Sequence, residues 1–194
     1  MKTIIIIGDS PTLKELEEAG YIKKLLDKFD SISINRTTRK CTYTIGIDDA
    51  CWYGVQDRIL RGEIPADFSK WVAPFKMKDL NIPFYMLFKH DEDINADNDG
   101  MFYFGFNSLT PALNLAYVEG AARVVIVACE LQFGTAHTSN PNQIFAPKDW
   151  ERKSTNIQKI VGEYKKKMEI VQIAKPEHLL DVPVVTPEYV LENY

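Results

Sequence analysis

Thr3-Ile-Ile-Ile-Ile-Gly-Asp-Ser-Pro-Thr12 is the stretch on which the fold turns. Ile4–Ile7 is β-branched throughout and stops at Gly8, the pattern of a strand buried on both faces, as in a parallel sheet. Helix-start chemistry follows at once. Ser10 suits an N-cap with Pro11 at the first helical position, and Thr12 with Glu15 offers a capping box as the alternative. Leu13, Leu16, Ala19, Ile22, Leu26 and Phe29 then recur at helical spacing, with Lys14, Glu17, Glu18 and Lys24 elsewhere on the cylinder. Gly20 lies inside this pattern, at a natural place to divide it into two shorter helices. Ser31-Ile-Ser-Ile34 reads as the next strand, so residues 3–35 form a β-α-β unit with parallel strands and a right-handed crossover.

Further along, Tyr43–Ile47 reads as a third strand running into Asp48-Asp49, and Trp52–Arg61 as a helix with Gly62 near its end. Pro65 and Pro74 interrupt the span from Glu63 to Leu80, which carries no clear element. Pro83–Phe88 is a buried strand leading into a polar, acidic loop at His90–Gly100. The segment Asn107-Ser-Leu-Thr-Pro-Ala-Leu-Asn-Leu-Ala-Tyr-Val-Glu-Gly120 has helix-start residues, Pro111 early and Gly120 just past its end. Arg123–Cys129 is another continuous apolar strand, and residues 134–150 look like a loop. Ile157, Ile160, Val161, Tyr164 and Met168 mark an amphipathic helix, Ile170–Ile173 a last strand, and Thr186-Pro187-Glu188 the start of a C-terminal helix. Alternating strands and helices give an α/β class: a doubly wound, mostly parallel sheet over residues 1–194 as one domain, with an irregular aromatic-rich stretch at 52–82.

Composition narrows the function classes. Of 194 residues 45% are hydrophobic and 26% charged, ordinary for a globular protein. Lys and Arg number 23 against 27 Asp and Glu, a net charge of −4 that argues against nucleic acid or anionic lipid as partner. The longest aliphatic run falls far short of the roughly 20 residues of a membrane span, and Gly8-Asp9-Ser10 breaks any signal-peptide core. Cys41, Cys51 and Cys129 are odd in number and form no CxxC pair, so neither a disulfide framework nor a zinc site is indicated. A reduced, cytoplasmic protein is the expectation. The aromatic-rich stretch Trp52–Phe88 offers a surface for a homo-oligomer.

Chemistry is expected where open parallel sheets place it, beyond the carboxyl ends of the strands at the first β-α turn. Gly8 lets a ligand approach the backbone, unpaired amides of the helix start favour an anion, and the Ser10 and Thr12 hydroxyls add hydrogen bonds. The turn has neither the GxGxxG nor the GxxxxGK[ST] pattern, which disfavours a nicotinamide dehydrogenase and a P-loop kinase. Asp9 would repel a phosphate, and contact with a ribose or base suits it better.

Three segments together carry a resemblance: Ile4-Ile-Ile-Ile-Gly-Asp-Ser-Pro-Thr-Leu13, Ser33-Ile-Asn35, and Asn107-Ser-Leu-Thr-Pro-Ala-Leu-Asn-Leu-Ala116 running on through Gly120-Ala-Ala-Arg-Val-Val-Ile-Val127. They resemble the Rossmann-like transferase superfamily of bacterial lipooligosaccharide sialyltransferases, motility accessory factor glycosyltransferases and archaeal hydroxymethyl-dihydropterin pyrophosphokinases. The matched segments cover about a third of the chain. The resemblance implies that Gly8, Asp9, Ser10, Pro11, Thr12 and Asn35 surround a nucleotide, with Asn107, Ser108 and Thr110 facing it from the later helix. The chain departs from the family in carrying Ser10 for the second Gly, Thr12 for Ser, Leu109 for the Gly after Asn-Ser, and Ala128-Cys129-Glu130 for Gly-x-Asp.

Glu130, at the end of a buried strand, is a candidate to position a substrate hydroxyl, or to hold a metal. His137, in the following loop, is a candidate general base. His90 and His178 are weaker candidates. Asp48 and Asp49 are candidate Mg²⁺ ligands beside a nucleotide diphosphate. Asn95–Gly100 lacks the Glu that a calcium loop needs, since Phe106 stands there, and reads as a solvated loop. Lys165-Lys-Lys167 reads as a helix end. The expected function is a glycosyltransferase using a CMP- or UDP-linked sugar donor and a small-molecule acceptor. The alternatives are a Mg-dependent pyrophosphokinase using ATP on a pterin-like alcohol, and a non-catalytic nucleotide-binding module.

Overall fold

The computed structural model describes residues 1–35, 39–90, 102–103, 108–129, 147–174 and 180–194. The chain runs β1 (Thr3–Ile7), α1 (Pro11–Glu18), α2 (Tyr21–Lys28), β2 (Asp30–Ile34), β3 (Tyr43–Ile45) and α3 (Asp49–Leu60). Then come β4 (Lys70–Pro74), a 3-10 turn at Phe75–Met77, β5 (Phe84–His90) and the short β6 (Phe102–Tyr103). The last part holds α4 (Leu109–Val118), β7 (Arg123–Val127), α5 (Pro147–Tyr164), β8 (Glu169–Ile173) and α6 (Pro187–Asn193).

The strands join in the order β6-β5-β4-β3-β2-β1-β7-β8, and all the pairings are parallel. The chain builds outward from β1 to β6, then returns through α4 to set β7 on the other side of β1. Strand order therefore reverses between β1 and β7, and the carboxyl ends of those two strands form the switch point. This is the doubly wound α/β sheet that the alternation of elements implied.

Alternating side chains on each strand feed two faces. Ile4, Ile6, Val124 and Ile126 pack with Leu113, Ile160 and Tyr164, so α4 and α5 cover one face. Ile5, Ile7, Val125 and Val127 pack with Leu13, Leu16, Ile22 and Val190 of α1, α2 and α6 on the other. A separate cluster around Trp52, Val55, Trp71, Ala73 and Met77 seats α3. Helix α4 is buried from Leu109 through Ala116, which explains why its sequence is apolar on every side. Gly20 sits at φ +76°, a left-handed residue that separates α1 from α2. Strand β2 alternates Ser with Ile because one of its sides meets the return segment toward β3: the Ser31 amide donates to Thr42 Oγ1 (3.1 Å) and the Thr42 amide to Ser31 Oγ (3.2 Å).

Three expectations need correcting. The span Glu63–Leu80, within the stretch read as irregular, contains strand β4 and the 3-10 turn, with Pro74 closing the strand where its missing N–H is harmless. Helix α3 begins at Asp49 rather than Trp52, and α5 already begins at Pro147, inside the span read as loop. The short edge strand β6 was not anticipated. Among the described residues no helix is long and apolar enough to cross a membrane. The cysteines Cys41, Cys51 and Cys129 are all free thiols, and burial pushes the Cys41 thiol up.

Tyr164 gives the core a spectroscopic marker. Burial pushes its phenol up to about 12, and the ring is fully enclosed. A raised phenol favours the folded state fully below the unfolded value near 10, and that contribution is lost as pH rises toward the folded value of about 12. In an ultraviolet titration of the folded protein Tyr164 is expected among the late-titrating tyrosines, with Tyr43, Tyr85 and Tyr194, whose phenols are also raised. A Tyr164→Phe variant that loses none of the late-titrating absorbance would contradict this.

Candidate functional site

The switch point is built by close backbone contact. The Gly8 N–H donates to Val127 O at 2.9 Å and the Ser10 N–H to Ala128 O at 3.1 Å, so the turn after β1 is tied to the end of β7. A Cβ on Gly8 would stand 2.3 Å from Ala128 O and 2.6 Å from Cys129 Sγ, which is why glycine is required there. Ala128 itself is left-handed at φ +52°, a conformation that costs a non-glycine residue about 1–2 kcal/mol. Strain of this kind collects at ligand sites.

The same contacts correct the expectation of open amides. Gly8 and Ser10 have their N–H groups committed to β7, Pro11 has none, and the Leu13 N–H bonds the Ser10 carbonyl at 2.9 Å. Beside the Thr12 N–H at the helix start, what the turn keeps is hydroxyls. Ser10 is 8% exposed and Thr12 6%, and neither side-chain oxygen has a hydrogen-bond partner. Asp9, just before Ser10, is half-buried, and Pro11, between the two hydroxyls, is exposed.

A second group lies at the carboxyl ends of β2 and β3. Asn35 follows β2 at φ +55°, a region Asn tolerates better than most residues, and its N–H donates to Ile45 O at 2.8 Å. Its side chain links elements far apart in sequence. Ser108 Oγ donates to Asn35 Oδ1 at 3.0 Å, and Asn35 Nδ2 donates to Asp48 Oδ2 at 3.5 Å. Gly46 makes room for this amide, since a Cβ there would stand 2.6 Å from Asn35 Oδ1. Trp52 holds Gly46 in turn, its Nε1–H donating to the Gly46 carbonyl at 3.1 Å. Sequence reading missed Gly46 and Trp52 as supports; the signal was a glycine where the third strand was expected to continue.

Helix capping supplies an independent sign. Ser10, Asp48 and Ser108 occupy the N-cap positions of α1, α3 and α4, and all three are residue types that cap well. None of them makes a side-chain cap hydrogen bond. Each forgoes about 1 kcal/mol of helix stability. Thr186, starting α6, accepts the Tyr189 N–H at 3.2 Å in the ordinary way. Asp48 and Ser108 instead turn to Asn35, while the Ser10 hydroxyl stays unpartnered.

Asp49 goes elsewhere: its carboxylate pairs with Lys76. The two adjacent acids thus take different partners, and among the described residues no group of three or more His, Cys, Asp or Glu is placed to hold a metal ion. Thr110 is fully buried in α4. Asn107, Glu130, His137 and His178 lie outside the described residues, as does Asn95–Gly100. His90 ends β5, at the far side of the sheet from the switch point.

A groove of about 720 Å³ runs by the amino ends of β2 and β3, lined by Glu17, Lys23, Asp27, Arg39, Cys41 and Thr42. Four of its charged side chains pair with one another, while Lys40 also lines it and Arg39 Nη1 is buried without a partner. Arg39 Nε donates to Glu17 Oε1 at 3.1 Å, and Lys23 Nζ to Asp27 Oδ2 at 2.5 Å. The carboxyl edge, with unpartnered hydroxyls and diverted caps, is the better candidate site. Comparison of the chain with protein-family models, with curated proteins and with solved structures returned no match.

Proposed function

We propose that this protein is a nucleotide-binding group-transfer enzyme, a glycosyltransferase that takes a CMP- or UDP-activated sugar. The observation that carries the reading is the diversion of three cap-type residues, Ser10, Asp48 and Ser108, at the carboxyl edge beside the switch point. The resemblance of the β1 turn, Asn35 and the α4 start to the transferase superfamily supports it. In this reading Asn35, Asp48 and Ser108 present amide, carboxylate and hydroxyl to the nucleotide. An acceptor hydroxyl attacks the anomeric carbon of the donor sugar. The new C–O bond forms as the bond to phosphate breaks, and the electron pair leaves on the nucleotide phosphate. His137 takes the acceptor proton, and Glu130 orients the acceptor hydroxyl.

Mg²⁺-dependent pyrophosphoryl transfer is the alternative, and the divergence of Asp48 and Asp49 speaks against those two as a chelating pair. Thermal shifts with CMP, UDP, GDP and ATP, each with and without Mg²⁺, test the choice. A shift with CMP or UDP that needs no metal is expected. A shift confined to ATP with Mg²⁺ would favour pyrophosphoryl transfer, and no shift with any nucleotide would leave a non-catalytic module. Asn35→Ala is expected to weaken nucleotide binding about tenfold, the scale of one or two hydrogen bonds, and to cost about 1–2 kcal/mol of stability, because alanine is disfavoured at φ +55° and the Ser108 hydroxyl loses its acceptor. Parent-like binding by that variant would place the nucleotide elsewhere. His137→Ala should lower turnover by about a hundredfold or more with binding retained; unchanged turnover removes it as the base.

A further inference from the structure

We infer that the turn after β1 receives the neutral, hydroxyl-bearing part of the ligand, a ribose or sugar, and not its phosphate. The inference rests on the nucleotide reading above and assigns one part of the ligand within it. A phosphate at a helix start is held by converging free N–H groups. In this turn Gly8 and Ser10 give theirs to Val127 and Ala128, Pro11 has none and the Leu13 N–H is bonded to Ser10 O, so Thr12 supplies a single first-turn amide and not a converging set. Asp9 adds a carboxylate, which repels a second anion.

The groups that remain suit a polyol. Ser10 and Thr12 each bring a hydroxyl that both donates and accepts, and both are unpartnered on side chains more than nine-tenths buried. A buried hydroxyl without a partner is destabilising, and a ligand hydroxyl that satisfies it is correspondingly favoured. A carboxylate is a good acceptor for sugar hydroxyls, as in the acid-to-ribose contact of dinucleotide-binding folds. Helix α1 has eight residues, and the Thr12 hydroxyl in its first turn is buried without a partner.

The test is calorimetric titration of the full chain with cytidine, uridine, guanosine and adenosine, their 5′-monophosphates, and free ribose. The parent is compared with Asp9→Asn and with the double variant Ser10→Ala/Thr12→Val. If the turn holds a ribose, the best nucleoside and its monophosphate lose affinity by the same factor, about tenfold, in both variants. Free ribose competing with the nucleoside would identify the ribose as the bound group. If a phosphate sits there, Asp9→Asn tightens the monophosphate and leaves the nucleoside unchanged, and the inference is overturned while the nucleotide reading stands. Absence of binding by every nucleoside and monophosphate overturns both.

Discussion

Trp52→Ala is expected to destabilise the protein by about 3–5 kcal/mol, the usual range for removing a fully buried indole. Trp52 has no exposed surface and meets Trp71 edge-on at 6.4 Å between ring centroids and Phe84 at 5.5 Å. Removing it opens a cavity beneath α3 and leaves the Gly46 carbonyl without its donor. At about 2–4 °C per kcal/mol for a chain of this size, the melting temperature should fall by some 6–20 °C. Trp52→Phe separates packing from hydrogen bonding. It keeps much of the ring volume and should lose about 1–3 kcal/mol, mainly through the orphaned carbonyl. Because Gly46 borders the Asn35 amide, both variants should also weaken ligand binding at the carboxyl edge. A melting temperature within 2 °C of the parent for Trp52→Ala, on the order of 1 kcal/mol or less, would mean that α3 is not seated as described.

Gly8→Ala should have the second-largest effect, and by the opposite mechanism. The added methyl meets Ala128 O, a backbone atom that cannot rotate away, and Cys129 Sγ. Relief requires the turn to move off β7, breaking the Gly8-to-Val127 and Ser10-to-Ala128 hydrogen bonds. A loss of about 1–3 kcal/mol is expected, as for other overpacked interiors, together with loss of binding at the displaced turn. Gly54→Ala is the matched control. A Cβ there meets nothing within 4 Å, and the residue lies inside α3, so stability should rise by about 0.5–1 kcal/mol. Equal effects of the two substitutions in chemical denaturation would refute the close approach of β1 and β7.

Much of the fold was legible because its signals are local. Ile4–Ile7 followed by Gly8, the Pro111 and Gly120 brackets of α4, and the Thr186 cap each report on a few neighbouring residues. Strand β4 was not legible. Its apolar content is the short Trp71-Val-Ala73, flanked by Lys70 and Pro74, and it becomes a strand because β3 and β5 pair on either side of it. The first turns of α5 were hidden by polar residues such as Lys148 and Asp149, which gave no helical period.

The site divides in the same way. Asn35, Asp48 and Ser108 stood out as residue types at element ends, but their mutual hydrogen bonds depend on a contact spanning 73 positions. Ser10 had the sequence of a cap and does not act as one. The Gly8 and Ser10 amides looked open to an anion because nothing local revealed that the end of β7 would take them. Long-range strand order thus decided the chemistry of a turn whose conformation the local sequence had specified.

The central claim is that the carboxyl edge around the β1–β7 switch point holds a nucleotide. A two-dimensional ¹⁵N–¹H NMR titration with CMP and UDP tests it most directly. The account predicts shifts concentrated at Gly8, Asp9, Ser10, Thr12, Asn35, Asp48 and Ser108, with the Asn35 side-chain amide among the most perturbed signals. Shifts that leave these residues unmoved and gather instead on Lys23, Arg39 and Thr42, along the groove by the amino ends of β2 and β3, would contradict it.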